Sequence, residues 1–444
     1  MRSLLLIGLF IFFSCSQREK TIEIKLYENE GFGVFRQSQS IISPNRMELT
    51  YTGVPDDIEE YVVRVISMQP EQLYWELYQK GILNAEQISN IMTQFATDTT
   101  QLADRDYKHK VLILIGTNNI GKRVIIPDKN NDQDFSNDKI FEYEYPLVID
   151  KQLEVEKTLP AVEVNVQLFV RNEIIDHTVN LVLSPYETFR RITYNVENEV
   201  EQKYHLFASI PMHKKGSAVL RNKPYNIYVA NQFRTPLYTE ENTQIFIVPD
   251  TIEPSQRKGD IPGSIGDIIN LDGFDYKIES ISPLGERIKL SYLGENQNPT
   301  GIAEGYLVPK FNAITLERDE FRLDDYRDKF ILLDFWGTWC NPCIQLIPEL
   351  KKLNSEFKNT NFQLVGVAFD RDIDVVSDFV GKNEMDWVHL FVDQTQRDRG
   401  SMIDVFKITA FPTKILIDPS GKILARGRDI EEIREILNEK LFAL

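Results

Sequence analysis

Cysteine is nearly absent: there are three in 444 residues, Cys15, Cys340 and Cys343, and the last two stand three positions apart. So small a number cannot build a structural disulfide framework. Basic charge is also short, because 50 Lys and Arg face 67 Asp and Glu, for a formal net charge of −17. An acidic surface repels phosphate backbones, which argues against nucleic acid or an anionic membrane surface as the main partner. The five histidines, His109, His177, His205, His213 and His389, are scattered, and no two have the i, i+4 spacing of a metal-binding helix. Long apolar runs are missing too. The stretch Leu4–Phe13 would rise about 15 Å as a helix, half of the roughly 30 Å hydrocarbon thickness, which excludes a permanent span there. No repeat of fixed period appears, and no pattern calls for a cofactor.

What is present is globular: 42% of residues are apolar and 11% aromatic, and the length predicts two or three domains. Met1-Arg2-Ser3, the apolar run and Ser14 have the charged start, short core and small residue of a secretory signal over 1–14. Cys15, placed directly after Ser14, resembles the lipidation site of a bacterial lipoprotein signal, although Phe12 stands where that family usually has Leu. The resemblance implies an acylated Cys15, a tether over 15–20 and a lipid-anchored protein of the cell envelope, facing the periplasm or cell surface. Each buried methylene would contribute about 0.8 kcal/mol, and stable anchoring takes more than one chain.

Residues 21–250 read as a β-rich region of two or more units, with a helical segment near 71–95. Thr21–Leu26 alternates polar and apolar residues, and Tyr61–Ile66, Val111–Ile115, Val162–Val170, Val179–Leu183, Tyr225–Ala230 and Gln244–Val248 are further strands. Asn84 with Gln87 predicts a helix cap ahead of Ile88, Ile91, Met92 and Phe95 on one face. The stretch 251–262 has the prolines and mixed charge of a linker, and 263–305 reads as a small β-meander with turns at Asp272-Gly273 and Leu284-Gly285. Between them, Asp128, Asn130, Asp132 and Asp134 alternate as ligands do in a calcium loop. However, Gln133 occupies the place of the required Gly and Lys139 that of the bidentate Glu, so a solvated acidic loop is the preferred reading and no metal is assigned.

The chemistry concentrates near the C-terminus. Ile331–Phe335 is an apolar run broken by Asp334, as in a central strand buried on both faces. Trp339-Cys340-Asn341-Pro342-Cys343 follows, and then Ile344, Ile347, Leu350, Leu353 and Phe357 at helical spacing, so the cysteines fall in the first turn of a helix. There Cys340 meets the positive end of the helix dipole and free backbone donors, both of which favour thiolate over thiol. A Cys340 thiolate can attack a substrate disulfide; Cys343, expected to be the more buried, then attacks Cys340 and releases the reduced product. Pro342 limits backbone freedom inside the ring. A zinc ribbon is excluded, since it needs a second ligand pair and no further cysteine follows.

From about Val308 to Leu444 the chain resembles the thioredoxin superfamily and, within it, the TlpA and ResA-like extracytoplasmic oxidoreductases. The resemblance rests on Leu333 to Cys343, Pro348, Leu364–Ala368, Phe411-Pro412-Thr413 and Ile415 to Ile423. It implies an α/β thioredoxin fold over 306–444, a central mixed sheet flanked by helices. It further implies that Pro412 follows a cis peptide bond beside the cysteines, and that Asp334 is a buried acid exchanging the Cys343 proton through water. Trp339, with Phe411, Asn341 and Pro342, would form the collar on which substrate docks. Two departures matter: Leu346 stands where many ResA-like relatives have a glutamate, and Gly337 where peroxide-reducing cousins have threonine, which disfavours a peroxiredoxin mechanism. The implied function is reduction of disulfides in exported proteins with electrons from a membrane donor. Two other readings stay open: a binding or interaction module with an auxiliary redox domain, and a disulfide oxidase or isomerase, distinguished by potential rather than fold.

Overall fold

The computed structural model describes residues 21–35, 40–42, 48–95, 97–145, 158–185, 199–231, 235–252, 261–395, 401–427 and 429–442. The signal segment, Cys15 with its tether, and most of the 251–262 linker lie outside the described residues. Among the described residues no helix is long and apolar enough to cross a membrane. Two compact units are present: one takes in the chain up to Ile247 with Ser264–Ile269 and Asp275–Gly294, the other Val248–Gly263, Asn270–Phe274 and Glu295–Leu444.

The first unit is built of antiparallel sheets. Ala161–Val170 buries Val164, Val166 and Leu168 while the residues between them stay more exposed, the period of two that puts alternate side chains on one face. It pairs with Glu173–Ser184, which continues to Phe207–Ser209 and Ser40–Ile41. A second sheet orders Ile58–Ser67, Lys110–Asn118, Arg123–Pro127 and Phe141–Tyr143. Apolar residues from both sheets, among them Ile113, Ile115, Leu168 and Leu181, close one core. The helical segment predicted over 71–95 is two helices, Pro70–Gln79 and Ala85–Gln94. Gly81 at φ +72° ends the first, and the Asn84–Gln87 capping box starts the second. Thr21–Lys25 is indeed a strand, but its partner is Arg287–Glu295, over 260 residues away in sequence, with Thr21 opposite Ser291.

The second unit holds a seven-stranded mixed sheet. Its strands are β1 Ala313–Thr315, β2 Glu320–Phe321, β3 Phe330–Trp336, β4 Phe362–Asp370, β5 Val388–Asp393, β6 Thr413–Ile417 and β7 Ile423–Arg426, and their order is β2-β1-β5-β4-β3-β6-β7. β3, β4 and β5 run parallel, whereas β6 is antiparallel to β3. The helices are α1 Asn341–Gln345, α2 Ile347–Phe357, α3 Ile373–Lys382, α4 Met402–Val405 and α5 Ile430–Phe442. Of the helix expected over 397–406 only α4 and its flanks fall among the described residues.

Both faces of β3 are covered, which is why its sequence is nearly continuous apolar. Leu332 and Trp336 pack with Cys340, Cys343, Leu350 and Leu353 on one side, while Ile331, Leu333 and Phe335 pack with Met402 and Phe406 on the other. The predicted helix beginning at the cysteines is broken at Leu346 into α1 and α2. Pro348 has no N–H to give the Ile344 carbonyl and its ring crowds that group, so Leu346 N–H bonds back three residues to Cys343 at 3.1 Å, and α2 restarts from there. In β4, Gly366 is required by close approach. A Cβ there would lie 2.5 Å from His389 Nδ1 and 3.0 Å from Trp336 Nε1.

Candidate active site

Cys340 and Cys343 are joined in a disulfide with their Cα atoms 5.3 Å apart. Cys340 is the N-cap residue of α1, and its sulfur accepts a hydrogen bond from Cys343 N–H at 3.3 Å. A cap position leaves the first backbone donors of a helix short of helical partners, and the Cys343 N–H is the one that reaches the sulfur here. Each cysteine is 4% exposed, so in the bonded state burial does not distinguish them, contrary to the expectation for Cys343. The residues around the ring are open: Asn341 and Pro342 are exposed, and Trp339 is 51% exposed.

The Phe411–Pro412 peptide bond is cis. Phe411 meets Trp339 edge to face with centroids 5.3 Å apart, and stacks on Phe369 at 5.6 Å and an interplanar angle of 2°. Trp339 Nε1 donates to the Phe369 carbonyl at 2.9 Å. Three aromatic rings drawn from the end of β4, the turn before α1 and the approach to β6 thus form one apolar surface next to the disulfide. Such rings supply large contact area and, for Trp, a polar handle that fixes orientation. Phe369 escaped sequence analysis because it ends a strand whose pattern reads as core.

Asp334 lies on the same face of β3 as Leu332 and Trp336, and hence on the side that packs against the cysteines. It is 4% exposed, and its Oδ1 atom has no hydrogen-bond partner. Burial pushes its pKa up to about 6, opposed by the charge of Lys414. Lys414 faces Asp334 directly across the β3/β6 pair and is 5% exposed. On the other side Asp334 stands in register with Gly366, and Gly366 with His389, whose pKa burial pushes down to about 4. Lys414 and His389 carry no motif signal. Only strand pairing brings them into line with Asp334.

The four residues of the calcium reading are tied into their loop's own hydrogen bonds. Asp128 is fully buried and accepts from the N–H groups of Asp132 and Gln133 at 3.0 and 2.9 Å. Asp132 accepts from Asn130 and Asn137, and Asp134 caps Ser136, so the carboxylates are occupied in closing their own loop. Among the described residues no group of three or more His, Cys, Asp or Glu side chains is arranged to hold a metal.

A family model described as thioredoxin-like matches residues 328–423. The thiol-disulfide oxidoreductase ResA of Bacillus thuringiensis subsp. konkukian (strain 97-27) is 28% identical over 137 residues, which are 31% of this chain and 76% of that protein. ResA of Geobacillus thermodenitrificans (strain NG80-2) is 29% identical over 143 residues, covering 32% of this chain and 78% of the relative. Among solved structures, the thioredoxin domain of a thiol-disulfide oxidoreductase from Bacteroides vulgatus covers 32% of this chain and 99% of its own, with 26% identity and a TM-score of 0.30. The cysteine pair, the sheet that carries it and these sequence matches agree: residues 328–423 form a thioredoxin-like domain, and the chain that contains it is a thiol-disulfide oxidoreductase.

Proposed function

We propose that this enzyme is a membrane-tethered reductase of disulfides in exported proteins, held in the cell envelope by a lipid on Cys15. One observation carries the catalytic part: a bonded Cys340–Cys343 pair opens a helix between an exposed aromatic surface and a buried, poorly solvated Asp334. In the reduced enzyme the Cys340 thiolate attacks one sulfur of the substrate disulfide, and the other leaves as a thiolate. Cys343 then gives its proton, through water, to Asp334 and attacks Cys340. Its sulfur displaces the second substrate thiolate and re-forms the Cys340–Cys343 bond. Two electrons have passed from the dithiol to the substrate, so a membrane donor must return two for the next cycle. Pro412 places a backbone edge beside the disulfide for the substrate strand, while Trp339, Phe411, Asn341 and Pro342 hold its flanks.

The collar makes a specific demand. Trp339→Ala should raise KM for insulin about tenfold and leave reaction with a small aromatic disulfide within twofold, because only a polypeptide spans the aromatic surface. Equal effects on both substrates would remove Trp339 from recognition. Direction and anchoring are read separately. Equilibration with glutathione buffers should give a potential more reducing than about −200 mV, whereas a value near the −120 mV or so of a strong oxidant would identify an oxidase. Growth with labelled palmitate should mark the wild-type chain and not Cys15→Ala; equal labelling of both sinks the tether.

A further inference from the structure

The stretch Gly337-Thr338-Trp339, which leads into the catalytic cysteine, is fastened to the end of β4 at one buried side chain. Asp370, the last residue of β4, is 7% exposed. Its Oδ2 accepts two hydrogen bonds from Thr338, one from the backbone N–H at 2.9 Å and one from Oγ1 at 2.6 Å. The other oxygen accepts from Arg371 N–H at 2.9 Å. One residue earlier, the Phe369 carbonyl takes Trp339 Nε1, and the Gly337 carbonyl in turn accepts Cys340 N–H at 3.0 Å. No side chain fits at Gly337, where a Cβ would lie 2.6 Å from Trp339 Nε1 and 2.9 Å from the Phe369 carbonyl. The strand end is itself held, since the Asp370 carbonyl accepts Gln394 N–H at 2.7 Å.

We infer that Asp370 is a positioning residue for the exchange reaction: by gripping Thr338 it fixes both the attacking sulfur of Cys340 and the ring of Trp339. A carboxylate that accepts three donors from two chain segments holds their separation and direction more tightly than one bond does. Attack at a sulfur depends on near-linear alignment of three atoms, so a small displacement of Cys340 costs rate out of proportion to its size. Thr338 thereby acquires a use unrelated to peroxide chemistry. The inference rests on dithiol exchange at Cys340 and is independent of its direction and of the lipid anchor.

The test compares full-length variants in insulin reduction, with the dithiol potential and the intrinsic tryptophan fluorescence measured on the same samples. Asp370→Ala should lower kcat/KM at least tenfold, and change both the potential and the fluorescence step between oxidised and reduced enzyme. Should that variant fail to fold, Thr338 decides. Thr338→Val deletes the Oγ1 bond at nearly constant volume and should lose activity several-fold with a changed fluorescence step, while Thr338→Ser, which keeps the hydroxyl, should return to within twofold of wild type. Wild-type turnover alone reports on the exchange reaction, whereas the variant-to-wild-type ratio reports on the Asp370 contact. The inference is overturned if a folded Asp370→Ala, or Thr338→Val, matches wild type in rate, potential and fluorescence.

Discussion

Cys340→Ser should reduce insulin no faster than buffer, and Cys343→Ala should stop after half a cycle with substrate covalently attached. The two outcomes differ because the sulfurs have different tasks. Cys340 begins the reaction, and a serine hydroxyl, far less acidic than a thiol, is not ionised by a single hydrogen bond such as Cys343 N–H provides. Cys343 ends the reaction, so its removal leaves the mixed disulfide on Cys340 without a resolving thiol. Intact mass of the Cys343→Ala enzyme after exposure to substrate should show a reductant-sensitive adduct. That adduct also provides a route to the natural clients, which can be recovered and identified from the envelope. Full activity in Cys340→Ser would refute the catalytic assignment, and equal trapping by both single variants would refute the order of attack.

A second large effect is expected at Asp334, in stability as well as rate. Burial disfavours its anion more than Lys414 restores it, which pushes the carboxyl from 3.8 up to about 6 in the folded protein. A raised pKa means that the folded state binds the proton more tightly than the unfolded one. The stability linked to that proton is therefore complete below pH 3.8 and is lost as pH rises through about 6. At 1.36 kcal/mol per pH unit the loss amounts to about 3 kcal/mol. Comparing oxidised wild type with Asp334→Asn in urea at several pH values removes every other titration from the difference. The variant should gain about 3 kcal/mol relative to wild type between about pH 3 and 7.5. A constant difference across that range would show that Asp334 is no more costly to ionise than a surface acid.

The same variant tests the proton transfer. With Asp334 as base, release of substrate from the mixed disulfide should accelerate as pH rises through about 6 in wild type and be about 10²-fold slower in Asp334→Asn, without that step in the profile. If Asp334 is instead only the buried partner of Lys414, the stability difference will appear and the rate profile will be unchanged. Lys414 matters to both readings. Its charge opposes burial at Asp334, and it comes from β6, two residues after the cis Phe411–Pro412 bond.

Local chemistry was legible in the sequence where neighbours in the chain are neighbours in space. The spacing of Cys340 and Cys343 within one helical turn, the apolar run of β3 and the capping pair Asn84–Gln87 are such cases, because a turn of helix or a strand is specified by residues a few positions apart. Pro348 is another local signal, which divides α1 from α2. The acidic loop at Asp128–Asp138 was ambiguous for the opposite reason. Alternating oxygens resemble a ligand set, yet whether a carboxylate points at an ion or at its own backbone depends on the loop's closure.

Sequence alone determined the redox pair, the strand that delivers it and the fold class of the C-terminal region. Only the tertiary structure could place Lys414 and His389 in line with Asp334, add Phe369 to the aromatic surface, fasten Thr338 to Asp370 and pair Thr21–Lys25 with Arg287–Glu295. Those contacts join segments about 30 to 270 residues apart. They arise from strand register and the packing of two sheet faces, which no short window of residues encodes.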